Sequence, residues 1–341
     1  MILRFILIGL LIYSQIPVLN AQSRGIGLQT KTNEARTPYA GGFYRALIIG
    51  NNVYKDKTGK WSSLSTAVSD AQAIGQLLEK QYGFSDVELL ENATRRDMLQ
   101  ALDRLSRRAL PNDNILVYYA GHGYIDDDTQ RGYWVPTDAE GVDQTTFLRN
   151  STIRDELNLI ASRARHTLLI SDSCFSGTLL RQASRGISQV SNSDNYFKKV
   201  SAKKSVQIIA AGGVEFVDDN YQSSGHSPFT YFLLSELKNN DREKITLSEL
   251  SNNVTRAVAN NVSQIPESGI LQGAGDELGE FIFIKLNIMV DGVDPKNVNV
   301  EVKVLPAKEG SGATVQDIEI QTRENPSSSE APKPHVPMPT L

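Results

Sequence analysis

The stretch HTLLISDSCFSG, residues 166–177, joins an apolar, strand-like run (HTLLIS) to a turn of small residues built around Cys174. Cys174 is the chain's one cysteine. A second stretch has the same form: NILVYYAGHG (114–123) runs as an apolar strand into a glycine-flanked turn that carries His122. Continuous apolar runs of this length belong to strands buried on both faces, the pattern of a parallel sheet covered by helices. Open parallel sheets bind ligands at the carboxyl ends of their strands, which is where both turns fall.

The same rhythm extends outward. RALIIG (45–50) and VELLE (87–91) read as strands. Leu64, Ala67, Val68, Ala71, Ile74, Leu77 and Leu78 recur at helical spacing, so 64–81 is predicted helical and stopped by Gly83. Helices are also predicted over 93–110 and within IRDELNLIAS (153–162). A second half repeats the pattern, with SVQIIAAGG (205–213) as strand, helices over 227–238 and 247–260, and EFIFIKL (280–286) as a closing strand. This alternation predicts an α/β fold: a mostly parallel sheet of about six strands with helices on both faces. Between the halves, residues 181–204 are polar, basic and aperiodic, and loops of that length are usually functional or mobile.

Composition bounds the class. The chain has 341 residues, a net charge of −4 and 40% apolar residues, which suits a folded globular protein and gives no basic patch for nucleic acid. The first residues differ: Arg4 precedes an apolar run from Phe5 to Ile12, polar breaks and a small residue at Ala21. Residues 1–21 are therefore expected to be a signal peptide, with export to the periplasm or the exterior. The run is far short of the ~20 residues of a spanning helix, and an uncleaved membrane anchor is the alternative. Residues 22–42 form a polar lead-in, 287–310 alternate as a small β-like appendage would, and 311–341 are expected to be a disordered Pro/Ser-rich tail.

If the two central strands are neighbours, His122 and Cys174 face each other across one crevice. An imidazole favours the thiolate or takes its proton on attack, and can then protonate a departing amine. Amide groups of Gly123 and Cys174 are the expected oxyanion donors. Taken singly, a lone cysteine is most often a small buried hydrophobe, and a lone histidine is structural. Their joint placement at strand ends favours catalysis.

LVYYAGHG and LLISDSCFSG resemble the two catalytic motifs of the caspase-like cysteine peptidases, in particular the metacaspase and bacterial caspase-homologue branch. RALIIGNNVY, LSTAVSDAQAIGQLL, GYWVPTDA and GHSPFTYFLL resemble that family in the same order, over about residues 43–286. His122 also lies about 50 residues upstream of Cys174, the caspase spacing. Metacaspases commonly carry His after the catalytic cysteine, where this chain has Phe175. The resemblance implies a caspase-haemoglobinase-like sheet divided into a large part (43–180), a linker (181–204) and a small part (205–286).

It also implies a specificity. Metacaspases place an acidic residue where Asp172 stands, and Asp70 falls in the segment that supplies a second pocket acid. Two carboxylates suit an Arg or Lys side chain, so cleavage of peptides or proteins after basic residues is expected. Helix capping for Asp70 and a structural hydrogen bond for Asp172 are the plainer alternatives. Caspase relatives are often nicked in the linker, where Arg181, Arg185, Lys198, Lys199, Lys203 and Lys204 would offer sites to such an enzyme; a solvated loop is the alternative. No metal or other cofactor is expected. Calcium, which many metacaspases need, is left as the alternative, because three adjacent carboxylates (Asp126–Asp128) are not a coordination loop. A catalytically idle interaction module and a transpeptidase using the same acyl-enzyme are the rival functions. The oligomeric state is not legible.

Overall fold

Along the third strand, Ile115, Val117 and Tyr119 belong to one hydrophobic cluster, while Leu116, Tyr118 and Ala120 belong to another. Successive side chains of a strand point to opposite faces, so this strand is buried on both. The computed structural model describes residues 42–173, 179–181, 193–212, 219–271, 273 and 275–286, and the backbone of 298–304 and 318–324.

The elements run β1 (Tyr44–Gly50), α1 (Ala67–Tyr82), β2 (Asp86–Glu91), α2 (Arg95–Arg108), β3 (Asn114–Ala120), β4 (Gly123–Asp126), β5 (Arg131–Trp134), β6 (Leu148–Arg149), α3 (Asn150–Arg163) and β7 (His166–Asp172). They continue with β8 (Leu180–Arg181), α4 (Asp194–Ser201), β9 (Ser205–Ala210), α5 (Pro228–Asn239), β10 (Lys244–Thr246), α6 (Leu247–Ala259), β11 (Glu267–Leu271), β12 (Ile282–Ile284), β13 (Val298–Val304) and β14 (Ile318–Glu324). The main sheet has the order β2-β1-β3-β7-β9-β11, with the two-residue β8 at its edge. The first five of these strands are parallel, and β11 is antiparallel to β9. Apolar residues of α1, α5 and α6 cover one face, and those of α2 and α3 cover the other. The α/β class, the mostly parallel sheet of about six strands and the helices on both faces are as the sequence predicts.

Local signals set the boundaries. Gly83 ends α1 in the left-handed conformation at φ 65°, returning its N–H to the Leu78 carbonyl. Thr94 and Asp97 form a reciprocal capping box that starts α2. Ser227 caps α5 ahead of Pro228 in the first helical turn.

Three expectations need correction. The apolar run at 280–286 does not close the main sheet: Ile282–Ile284 pairs with β10, and Phe281 and Phe283 fill the core. The place beyond β9 goes to β11 (ESGIL), which is exposed at Glu267 and Ser268 and buried only at Leu271, and so lacks the apolar signature of a buried strand. The linker is not aperiodic throughout, because Ser193 caps the helix α4 and Phe197 anchors it in the interior. Residues 318–324, expected within the disordered tail, form a strand antiparallel to β13, consistent with the alternation of Ile318 and Ile320. The leader (1–21), most of the lead-in and residues 325–341 lie outside the described residues.

Candidate active site

β3 and β7 are adjacent and parallel, with Ala120 opposite Asp172. The ladder runs one step further, because the Gly121 N–H donates to the Asp172 carbonyl at 3.3 Å. His122 thus stands two residues beyond one paired position, and Cys174 follows two residues after the other. Cys174 itself lies outside the described residues, as does the segment to Thr178. What the structure gives of the expected pair is the imidazole and the register of the two strands that lead to it.

The imidazole is held on several sides. Its backbone N–H donates to the Tyr54 hydroxyl at 2.8 Å, and its carbonyl accepts from the Tyr119 hydroxyl at 2.8 Å. The ring packs beside Tyr54 and Trp61, with centroids 4.7 and 5.6 Å away. Its Nε2 lies 2.8 Å from the Ser62 carbonyl oxygen. A carbonyl can only accept, so Nε2 carries the proton and a neutral ring keeps its lone pair on Nδ1. Burial pushes the His122 pKa down, against the Ser62 carbonyl and the charge of Asp219. Gly121 makes room for this arrangement: a Cβ there would come within 2.7 Å of the Tyr119 hydroxyl. Gly123, an expected oxyanion donor, opens β4 opposite Trp134.

A few residues away lies an acid pair. Asp70, on the first turn of α1, is 1% exposed. Its Oδ1 is 2.6 Å from His226 Nδ1, and its Oδ2 accepts the Ser227 N–H at 3.2 Å. Asp172, the last residue of β7, accepts from the hydroxyls of Ser227 at 2.5 Å and Thr230 at 2.7 Å, both on one oxygen. Ser227 therefore bridges the two carboxylates, which the sequence places 102 positions apart on α1 and β7. Burial pushes the Asp172 pKa up to about 7, and the neighbouring Asp70 pushes the same way. Asp70 is also raised by burial, against its bonds to His226 and Ser227. Among the described residues no Lys or Arg pairs with either carboxylate. Asp70 turns its oxygens to His226 and Ser227, and Asp172 makes hydrogen bonds to two hydroxyls. Both aim at the start of α5.

Residues 44–270 match the family described as "Caspase domain". The chain belongs to the caspase-domain family. The family is one of cysteine peptidases, and the matched span runs from β1 into β11. The caspase domain is similar to Metacaspase-1 of Cryptococcus neoformans, 28% identical over 195 residues that are 48% of this chain and 40% of that protein. It is likewise similar to Metacaspase-1 of Saccharomyces cerevisiae, 30% identical over 156 residues, 40% of this chain and 34% of that protein. The chain thus matches less than half the length of these curated relatives. Among solved structures, the Drosophila initiator caspase Dronc aligns with a TM-score of 0.47 at 11% identity, covering 77% of this chain and 92% of that one.

The basic residues expected as self-cleavage sites are not alike in this caspase domain. Lys198 and Lys199 lie on α4, so their backbone is helical and not extended. Lys204 is pinned, its N–H donating to Glu277 and its carbonyl accepting from the N–H groups of Glu277 and Gly279. Lys203 is exposed in the turn before β9. Arg181 belongs to β8 by its backbone, and Arg185 lies outside the described residues.

The acidic run at 126–128 does not fit a cation cage. Asp126 accepts from the Thr129 N–H and hydroxyl, at 2.7 and 2.8 Å, and from the Gln144 amide, which commits it to the β4–β5 turn. Among the described residues no three His, Cys, Asp or Glu side chains gather as a metal site would need.

Sequence reasoning missed His226, Asp219, Ser62 and Tyr54. Asp219 accepts the Ser65 N–H and hydroxyl, and its carbonyl takes the Thr66 hydroxyl. It thereby clasps the segment whose Ser62 carbonyl holds the ring. The available signal was weak: His226 directly precedes a capped helix start, and Asp219 ends the run EFVDD.

Proposed function

We propose that the chain is a cysteine endopeptidase in which Cys174 is the nucleophile, His122 moves the proton, and Asp70 with Asp172 receive an Arg or Lys side chain. The observation that carries this reading is the fixed imidazole at the end of β3, one strand from the segment that leads to the thiol. Its Nε2–H is spent on Ser62, so Nδ1 is the nitrogen left to accept the thiol proton. The thiolate attacks the peptide carbonyl carbon, and the negative charge moves to the oxygen, near the amides of Gly123 and Cys174. His122 returns the proton to the departing amine as the carbon–nitrogen bond breaks. Water then hydrolyses the thioester, again with His122 as base. The sequence of steps needs no cofactor.

The basic preference rests on two carboxylates bridged by one serine and, among the described residues, without a lysine or arginine partner. Buried carboxylates of this kind call for a cation, and a substrate side chain supplies it. Labelling tests the whole reading. A peptidyl-arginine electrophile is expected to modify the intact protein once, at Cys174, and to leave Cys174→Ala unmodified. Equal labelling by a peptidyl-aspartate electrophile would refute the basic preference.

The same reading includes export and self-processing. A mature chain starting after residue 21 is expected on N-terminal sequencing of the secreted protein, and a start at Met1 would remove the leader. Because proteases read extended peptides, cleavage is expected at Arg181 or Arg185 rather than on α4. Mass spectrometry of wild type against Cys174→Ala decides it, since a thiol-dependent cut must vanish in the variant.

A further inference from the structure

Among the described residues, His226 is the one basic group set against the acid pair, and the chain goes to some length to put it there. The loop from Asp219 to Ser227 holds two non-glycine residues in the left-handed region, Gln222 at φ 46° and Ser223 at φ 59°. Such conformations are costly and persist where surrounding structure enforces them. Here the enforcement is visible: Asp219 clasps Ser65 and Thr66, Ser69 donates to the Gly225 carbonyl at 2.7 Å, and the Tyr221 N–H donates to the His226 carbonyl at 2.8 Å. The Asp219 and Ser69 contacts fasten the loop at or beside the first turn of α1, where Asp70 sits, and the Tyr221–His226 bond closes the loop on itself. The His226 side chain is 22% exposed, against 1% for Asp70. His226 is thus the partly exposed member of the pair.

We infer that His226 is a positioning residue for the specificity pocket: its Nδ1–H fixes Asp70 Oδ1 and keeps Asp70 ionised and aimed for a substrate cation. The inference rests on the reading of Asp70 and Asp172 as the basic-residue pocket. The geometry divides the labour. Asp70 has one oxygen on His226 and the other on the Ser227 N–H, whereas Asp172 has both of its hydroxyl donors on one oxygen. A carboxylate oxygen has two acceptor directions, so each acid keeps capacity for an incoming guanidinium or ammonium. Without His226, Asp70 would face Asp172 with one fewer donor in a dry site, and taking up a proton would relieve it. The pocket would then lose half its charge, and binding would suffer while the thiol chemistry at His122 would not.

The test separates a positioning role from a merely structural one. Agmatine, a bare guanidinium side chain, serves as probe of the pocket by calorimetry, and peptides with arginine or norleucine before the scissile bond serve as substrates. His226→Ala is expected to weaken agmatine binding and raise KM for the arginine peptide about tenfold, at nearly unchanged kcat, with the norleucine peptide unaffected. His226→Asn, whose amide nitrogen takes the place of Nδ1, is expected to recover most of the loss. Equal agmatine affinity in wild type and His226→Ala overturns the inference, as does a loss shared by both peptides or no rescue by Asn. His226-dependent agmatine binding without hydrolysis of any peptide would sink the peptidase reading and leave this inference standing. Hydrolysis after arginine that ignores His226 would do the reverse.

Discussion

Replacing His122 with alanine is expected to lower kcat/KM for arginine-site peptides by roughly 100- to 10,000-fold, the usual worth of a positioned general base. It is also expected to slow alkylation of the protein by iodoacetamide at pH 7. The second measurement is unusually clean, because Cys174 is the chain's only thiol and every alkylated molecule reports on it. The size of the effect follows from how the ring is held. Tyr54 and Tyr119 fix its backbone, and Ser62 fixes its tautomer. Burial pushes its pKa down, so the ring is neutral at pH 7 and able to take a proton. A free thiol near pKa 8.5 is only slightly ionised at that pH, so loss of the base leaves few reactive molecules. KM for the arginine peptide should change little, since the ring makes no bond to Asp70 or Asp172. A His122→Ala protein alkylated and turning over at the wild-type rate would end the case for a dyad.

What could be read in advance follows from how local each signal is. β3 and β7 announce themselves because a central strand is apolar on both faces, and their carboxyl ends carry His122 and the approach to Cys174. The helices are legible where a cap is written in neighbouring residues, as with Gly83 or Ser227 and Pro228. The outlying strand β11 was hidden because it is buried only at Leu271 and carries no apolar run, and its Glu267, Ser268 and Gly269 resemble a loop. The hairpin β4–β5 was hidden because its strands are only four residues each; the acidic run at its turn suggests only calcium, as the alternative, and Asp126 in fact binds the turn. Asp70 and Asp172 entered through resemblance, and their meeting at Ser227 is a matter of topology. His226 lies 156 residues from its partner Asp70, and no pattern of period two or 3.6 carries information over that distance.

Asp172→Asn is expected to act in opposite directions on stability and on binding. The folded carboxyl titrates near pH 7, whereas an unfolded aspartate titrates near 3.9. Stability contributed by such a raised group is whole below about pH 4 and is lost as pH rises through 7. At pH 8 the ionised, buried Asp172 beside Asp70 thus holds the fold down by at most about 4 kcal/mol. An amide oxygen can accept from Ser227 and Thr230 as the carboxylate does, with no charge to bury, so Asp172→Asn should melt several degrees higher at pH 8 and about the same at pH 4. Binding should go the other way. In wild type, KM for an arginine peptide should fall between pH 6 and 8 as Asp172 gains its charge. Tyr118, which reaches Asp172 through the Thr230 hydroxyl, stays neutral there because burial holds its pKa well above 10. The Asn variant should lose that pH dependence, with KM raised about 10- to 100-fold at pH 8, the worth of a hydrogen bond to a charged group. Lower melting at pH 8 together with an unaltered KM would show that Asp172 is a structural acid, stabilised by α5 and indifferent to substrate. A residue that weakens its own fold at the pH where it binds best is kept for the binding, and the opposed shifts in melting temperature and KM are the signature of that bargain.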